Sequence, residues 1–191
     1  MRRYLWFILP VFILISGFTG FAGEPEKEQL YADPDNQIVW LSFEEALEMN
    51  SVEPKMIFID FYTDWCSWCK KMDANTFSNP QISALMGRNF YAVKFNAEED
   101  ITINWKDKDY VLDTTRRRPA HEVAIELATT DERLGYPTFV VLNGEFNKLK
   151  AFQGYKTVDA LKQILEYYGD ERNYKEKNWI QFIQGYQSAI D

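Results

Sequence analysis

Two periods of apolar positions run along the chain. Ile38–Leu41 is a short apolar run and predicts a first strand. Ser42 follows, with Glu45 three residues on, a capping box that starts a helix expected to end near Asn50, before Pro54. Lys55–Tyr62 is almost continuously apolar, the pattern of a central strand covered on both faces, and Asp60 is its one acid. Cys66-Ser67-Trp68-Cys69 comes next, and Lys70–Asn75 continues as a helix. Pro80 opens another helix through Met86, and Phe90–Phe95 predicts a strand. Residues 96–118 are polar and without period, an inserted loop ending in Arg116-Arg117-Arg118. Pro119 suits the first turn of a helix to about Thr130, with His121 on it as an ordinary, partly exposed histidine. Gly135-Tyr136-Pro137 turns into the strand Thr138–Leu142, and Asn143-Gly144 marks a hairpin returning as Lys148–Gln153. Thr157 starts a helix carrying Val158, Leu161, Ile164 and Leu165. Asn173–Ile190 sets Trp179, Phe182, Ile183 and Tyr186 at helical spacing, a stripe expected to dock on its own domain. Strand and helix alternate and a hairpin and helix close the chain, an α/β order around one sheet.

The ends change this picture. Arg2 and Arg3 precede an apolar run, Leu5–Ile15, broken only by Pro10; the small residues Gly20, Ala22 and Gly23 follow. That is the layout of a secretory signal peptide over residues 1–23, too short to match the ~20 residues of a membrane span. An uncleaved anchor is the alternative. Residues 24–37 read as a flexible lead-in, 38–169 as the domain with an insertion at about 97–118, and 170–191 as a helical extension. The net charge is −8, and removal of residues 1–23 with their two arginines takes it to −10. So acidic a chain is poorly suited to nucleic acid. Membrane contact is expected only through the N-terminal segment, if it is retained.

The chemistry rests on the two cysteines. Both lie in one C-x-x-C, where a disulfide closes too small a loop to restrict the unfolded chain much. Reactivity is the better reason for the pair. A strand ending at Cys66 sets that thiol at the start of a helix, where unpaired N–H groups favour a thiolate. Its pKa is then expected to fall from ~8.5 into the ~3.5–7.5 range of such sites. Cys66 becomes the exposed, attacking sulfur, and Cys69, one turn on and further inside, resolves the mixed disulfide. A zinc site needs about four ligands, and the chain has two Cys and one His. Haem attachment wants His after the second Cys, and position 70 is Lys. A static disulfide or two idle thiols remain the bland alternative.

Asp60-Phe61-Tyr62-Thr63-Asp64-Trp65-Cys66-Ser67-Trp68-Cys69-Lys70 resembles the active-site segment of thioredoxin-like proteins. Val93-Lys94-Phe95-Asn96 is similar to their next strand, Gly135-Tyr136-Pro137-Thr138 to their cis-proline loop, and Gly144 and Gly154 to glycines around their final hairpin. The resemblance spans about residues 38–168 and implies a thioredoxin-like fold, a central mixed sheet flanked by helices. It implies a thiol:disulfide oxidoreductase with Cys66 as nucleophile, Cys69 resolving, Asp60 as proton acceptor with its pKa raised by burial, and Lys94 tuning Asp60. Trp65, Trp68, Tyr136, Pro137 and Thr138 would shape the substrate groove, with Pro137 cis.

A redox-active Cys66–Cys69 disulfide needs no metal or organic cofactor. The implied partners are proteins with disulfides or thiols and an upstream dithiol electron donor. The exported N-terminus and the Trp-Cys ending of the motif make the chain more similar to bacterial extracytoplasmic thiol:disulfide interchange proteins, active in the periplasm or an equivalent space. The Asp60–Lys94 arrangement is similar to that of reducing family members, so the resemblance implies reduction or isomerisation of disulfides, while Ser67-Trp68 in place of the Gly-Pro of thioredoxin leaves the direction of electron flow open. A non-catalytic binding module on the same scaffold, or a peroxidase-type enzyme, are the rival readings.

Overall fold

The computed structural model describes residues 37–188. The expected signal peptide and nearly all of the lead-in lie outside them. Among the described residues no helix is long and apolar enough to cross a membrane.

The centre is a five-stranded mixed sheet in the order β1-β3-β2-β8-β9. Its strands are β1 (Trp40–Leu41), β2 (Met56–Tyr62), β3 (Phe90–Asn96), β8 (Thr138–Leu142) and β9 (Lys148–Gln153). β2 sits in the middle, parallel to β3 and antiparallel to β8. Six of its seven residues are buried, as its continuous apolar pattern demands. The two-residue side-chain period divides it between two cores. Ile57, Ile59 and Phe61 join Val93, Phe95 and Val140 on one face. Met56 and Phe58 join Phe90, Ala92 and Phe139 on the other. Asp60 shares the period of Met56 and Phe58, so its carboxylate points to that second face, the one covered by the helices that carry the cysteine motif and the chain's later half.

Those helices are α2 (Ser67–Met72), a π-helical turn continuing it (Asp73–Phe77), α3 (Pro80–Asn89) and α5 (Val158–Tyr168). Met72, Phe77, Ile82, Met86, Leu161 and Leu165 are their contributions to the core. The first face is covered by α1 (Phe43–Val52) and α4 (Glu122–Ala128). The Ser42/Glu45 capping box of α1 is present in full. Beyond α5, α6 (Glu171–Glu176) and α7 (Trp179–Ser188) form two pieces rather than one segment. α7 rests on α5 through Trp179 and Phe182, whose rings lie 5.2 and 5.1 Å from that of Tyr167.

Two further expectations are corrected. The insertion is not a loop without structure: β4 (Ile103–Trp105) and β5 (Lys108–Tyr110) pair as a hairpin, and β6 (Leu112–Asp113) pairs with β7 (Ala120–His121). Lys106 and Asp107 both have positive φ, the geometry of a two-residue type I′ turn, without the glycine that would announce one. Ile103, Trp105 and Tyr110 are buried in the first core, with the Trp105 ring 5.4 Å from Phe43. Secondly, Pro119 does not start a helix; the chain is extended through β7, and α4 begins at Glu122. His121 is fully buried rather than partly exposed. It caps α4, its Nδ1 accepting the Val123 N–H at 3.2 Å, which leaves Nε2 to donate to the Ile101 carbonyl at 3.2 Å. The β8–β9 hairpin has the expected strand bounds, with residues 143–147 connecting the strands. Asn143 Oδ1 accepts the N–H groups of Glu145 and Asn147, and Phe146 takes the positive φ.

Candidate active site

Cys66 is the residue before the first turn of α2, in extended conformation, and its Sγ accepts the Cys69 N–H at 3.1 Å. Negative charge on this sulfur would meet a backbone donor and the start of a helix whose other end is carried on by the π turn. Cys66 and Cys69 form a disulfide, with Cα atoms 5.3 Å apart. Both residues are buried, at 4% and 2% exposure, so the expected contrast between an open and a sheltered cysteine is small in this form. The reason is local: the Cys66 sulfur is turned inward onto Cys69 and its N–H. The exposed atoms at the motif are instead aromatic, since Trp65 and Trp68 are each 54% exposed.

Under the motif lies a charged cluster. The parallel register sets Asp60 opposite Lys94. Lys94 Nζ is 2.9 Å from Asp60 Oδ2. Oδ1 has no hydrogen-bond partner, and Oδ2 is held by the charge contact alone. Asp60 is 1% exposed, and burial pushes its pKa up to about 6, against the pull of the Lys94 charge. Lys94 also donates to the carboxylate of Asp73, on the π turn. Burial opposes the Lys94 charge, but the two carboxylates hold its pKa above the usual lysine range. The rings of Trp40, Tyr62 and Phe77 lie 5.0 to 5.2 Å from Nζ and add cation–π contacts. From Asp60 through Lys94 to Asp73, side-chain exposure rises from 1% to 19% to 46%. An open cleft of about 620 Å³, lined by Trp40, Asp73, Phe77 and Lys94 among others, joins this ladder to solvent. The cluster is therefore a buried carboxyl that titrates near neutrality and has a charged route outward.

The loop before β8 completes the surroundings. The Tyr136–Pro137 peptide bond is cis. Gly154, at φ +85°, donates its N–H to the Pro137 carbonyl at 2.8 Å, fixing the loop to the end of β9. The Tyr136 ring lies 6.1 Å from Trp65, and burial raises the Tyr136 pKa to about 12. Trp68 leans on Tyr155 at 5.7 Å, with Lys71 over its ring. Thr138 differs from the expected groove residue: it is fully buried and donates its hydroxyl to the Gly135 carbonyl at 2.6 Å, so it braces the loop from within.

Two participants escape the sequence reading. Asp73 lies four residues after Cys69, and that spacing on one helix face was the available signal. Glu98, which accepts the Trp65 indole N–H at 2.9 Å, comes from the insertion and has no such signal. Among the described residues no three His, Cys, Asp or Glu side chains gather in a metal-binding group.

This fold and this dithiol agree with the comparisons. The model of the thioredoxin-like domain family matches residues 43–169, and the chain belongs to that family. Within it, a 48-residue stretch is 40% identical to the thiol:disulfide interchange protein DsbD of Photorhabdus laumondii; it covers 25% of this chain and 8% of that protein. A 65-residue stretch is 32% identical to human spermatogenesis-associated protein 20, again 8% of the relative's length. The chain thus spans under a tenth of each of these two relatives. A thioredoxin-fold protein from Helicobacter pylori superposes with a TM-score of 0.50 at 17% identity, over 72% of this chain and 87% of that one. The oxidised C-terminal domain of DsbD from Neisseria meningitidis is also similar, with a TM-score of 0.44 at 20% identity, over 68% of this chain and 99% of that one. The protein has a thioredoxin-like fold with a disulfide-forming C-x-x-C, and it resembles bacterial thiol:disulfide proteins at that general level.

Proposed function

We propose that this protein is an extracytoplasmic thiol:disulfide oxidoreductase that reduces or isomerises disulfides in other proteins. The observation that carries the reading is the Cys66–Cys69 disulfide at the start of α2, with the Cys66 sulfur on the Cys69 N–H. In the reduced protein the Cys66 thiolate attacks a substrate disulfide. One substrate sulfur bonds to Cys66, and the other leaves as a thiolate and takes a proton from water. Asp60, ionised above a pKa of about 6, accepts the Cys69 proton through a water. The Cys69 sulfur then attacks Cys66 Sγ, the second substrate sulfur leaves as a thiolate and takes the proton held by Asp60 through the same water, and the enzyme disulfide forms. Two electrons have passed to the substrate, with one proton from Cys69 and one from water. An upstream dithiol protein restores the two electrons to the enzyme disulfide. Trp65, Trp68, Tyr136 and Pro137 form the surface over which the substrate segment lies. The N-terminal run Arg2–Gly23 supports export through a signal peptide.

Trapping tests this. The Cys69→Ser variant, expressed with its own N-terminus, should accumulate mixed disulfides on Cys66 with discrete extracytoplasmic proteins, released by dithiothreitol. The Cys66→Ser variant should trap none. A folded, exported Cys69→Ser protein that carries no mixed disulfide would overturn the reading.

A further inference from the structure

The insertion brings positive charge to the edge of the dithiol. Arg116 and Arg118 line a cleft of about 230 Å³ together with Trp65, Glu98, Leu134 and Tyr136. Trp65 immediately precedes Cys66, and Tyr136 immediately precedes the cis proline, so the cleft opens directly beside both. Arg118 stacks on the Trp65 ring, 5.0 Å from its centroid. The other edge of that ring is tied to Glu98. Arg116 and Arg118 are exposed and make no ion pair among the described residues. The chain as a whole carries a net charge of −8, so Arg116 and Arg118 give this edge of the dithiol the opposite sign. The insertion that carries them is not a loose excursion: β6, β7 and the buried His121 fasten it to the core on either side. The cleft is smaller than the ~300–1,000 Å³ of sites for drug-sized ligands, and suits one or two side chains.

Resting on the oxidoreductase reading, we infer that this cleft selects substrates by a carboxylate: the segment it holds carries Asp or Glu beside the cysteine that Cys66 attacks. A guanidinium fork binds a carboxylate through two parallel hydrogen bonds, and Arg118 is already oriented by its stacking on Trp65. Glu98, held at the Trp65 N–H, offsets one of the two arginines, and the lining keeps one uncompensated positive charge.

The test uses the reduced protein and three peptides that differ only in Glu, Gln or Lys beside one cysteine, each capped as a disulfide with 2-mercaptoethanol. Stopped-flow rates should fall in the order Glu, Gln, Lys, by about five-fold per step at low ionic strength, the size of a solvent-exposed charge contact. The ratios should shrink in about 0.5 M salt. Arg116→Gln/Arg118→Gln should bring the three rates together. Arg117→Gln, outside the cleft, should keep them apart; if it merges them equally, the cleft is not the reader. Equal rates for all three peptides overturn the inference and leave the dithiol chemistry standing. No reaction with any peptide overturns the oxidoreductase reading instead. Fluorescence anisotropy with cysteine-to-serine peptides then decides the cleft on its own. Tighter binding of the Glu peptide supports it. Equal binding, or a preference for anionic phospholipid vesicles over every peptide, overturns it.

Discussion

Replacing Asp60 by Asn should stabilise the oxidised protein at alkaline pH and leave its stability nearly unchanged at pH 4. The carboxyl is 1% exposed and its pKa is raised from 3.8 to about 6 because ionisation in the sheet interior is only partly offset by Lys94. Between those values the folded protein binds more protons than the unfolded chain. Stability contributed by the neutral form is therefore complete below about pH 4 and is lost as pH rises through 6. At about 1.4 kcal/mol per unit, the ionised carboxylate costs up to about 3 kcal/mol at pH 8. Asn keeps the shape and cannot ionise, so the variant escapes that cost. Urea unfolding of both proteins at pH 4, 6 and 8 measures it. The difference between them should grow mostly between pH 4 and 6, level off above 6, and reach about 3 kcal/mol. A constant difference across that range, or one that shrinks as pH rises, would refute the claim that Asp60 is a strained ionisable group. In the reduced protein the same variant should slow attack by Cys69, because its proton loses a nearby acceptor.

Three further outcomes follow from neighbouring contacts. Asp73→Asn removes a negative charge that raises the Asp60 pKa and frees Lys94 for Asp60 alone, so the Asp60 carboxyl resonance in NMR should titrate at lower pH than in the unmodified protein. Gly154→Ala meets open space but must hold φ +85°, so it should lower stability by about 1–2 kcal/mol, read as a lower urea midpoint at unchanged slope. His121→Ala removes the α4 cap and leaves the Ile101 carbonyl unsatisfied, at a cost of about 2–4 kcal/mol in the same assay. Burial lowers the His121 pKa; its contribution is therefore present above about 6.5 and lost as pH falls through the folded value, so the variant should also flatten the acid limb of the stability profile.

The legible parts of this chain were those where local chemistry and global packing agree. β2 could be read because a covered strand must be apolar at almost every position, and Asp60 stood out as the one acid in it. α1 and α5 carried their own caps, Ser42 and Thr157. The insertion hides its fold because its hairpin turns on Lys106-Asp107, residues that adopt positive φ here without being its usual markers. Its buried residues, Ile103, Trp105 and Tyr110, are too few and too far apart to show a period. Pro119 is ambiguous for the same kind of reason: a proline suits a helix start, but it suits extended chain as well, and the cap that matters is His121, a rare one. The Asp60–Lys94 contact follows from strand register. The reach of Lys94 to Asp73, and of Glu98, Arg116 and Arg118 to Trp65, is made between elements far apart in sequence, and no local pattern encodes it.

Attack on a substrate disulfide requires Cys66 to be a thiolate at neutral pH. The measurement is the rate of iodoacetamide alkylation of reduced Cys69→Ser protein between pH 4 and 10, with the modified residue identified as Cys66 by mass spectrometry. The rate should rise with an apparent pKa below ~7.5, as for other thiols at helix starts, and fall to that of a free cysteine when the protein is unfolded in urea. A folded protein whose Cys66 titrates at ~8.5 or above, no faster than in urea, would contradict it.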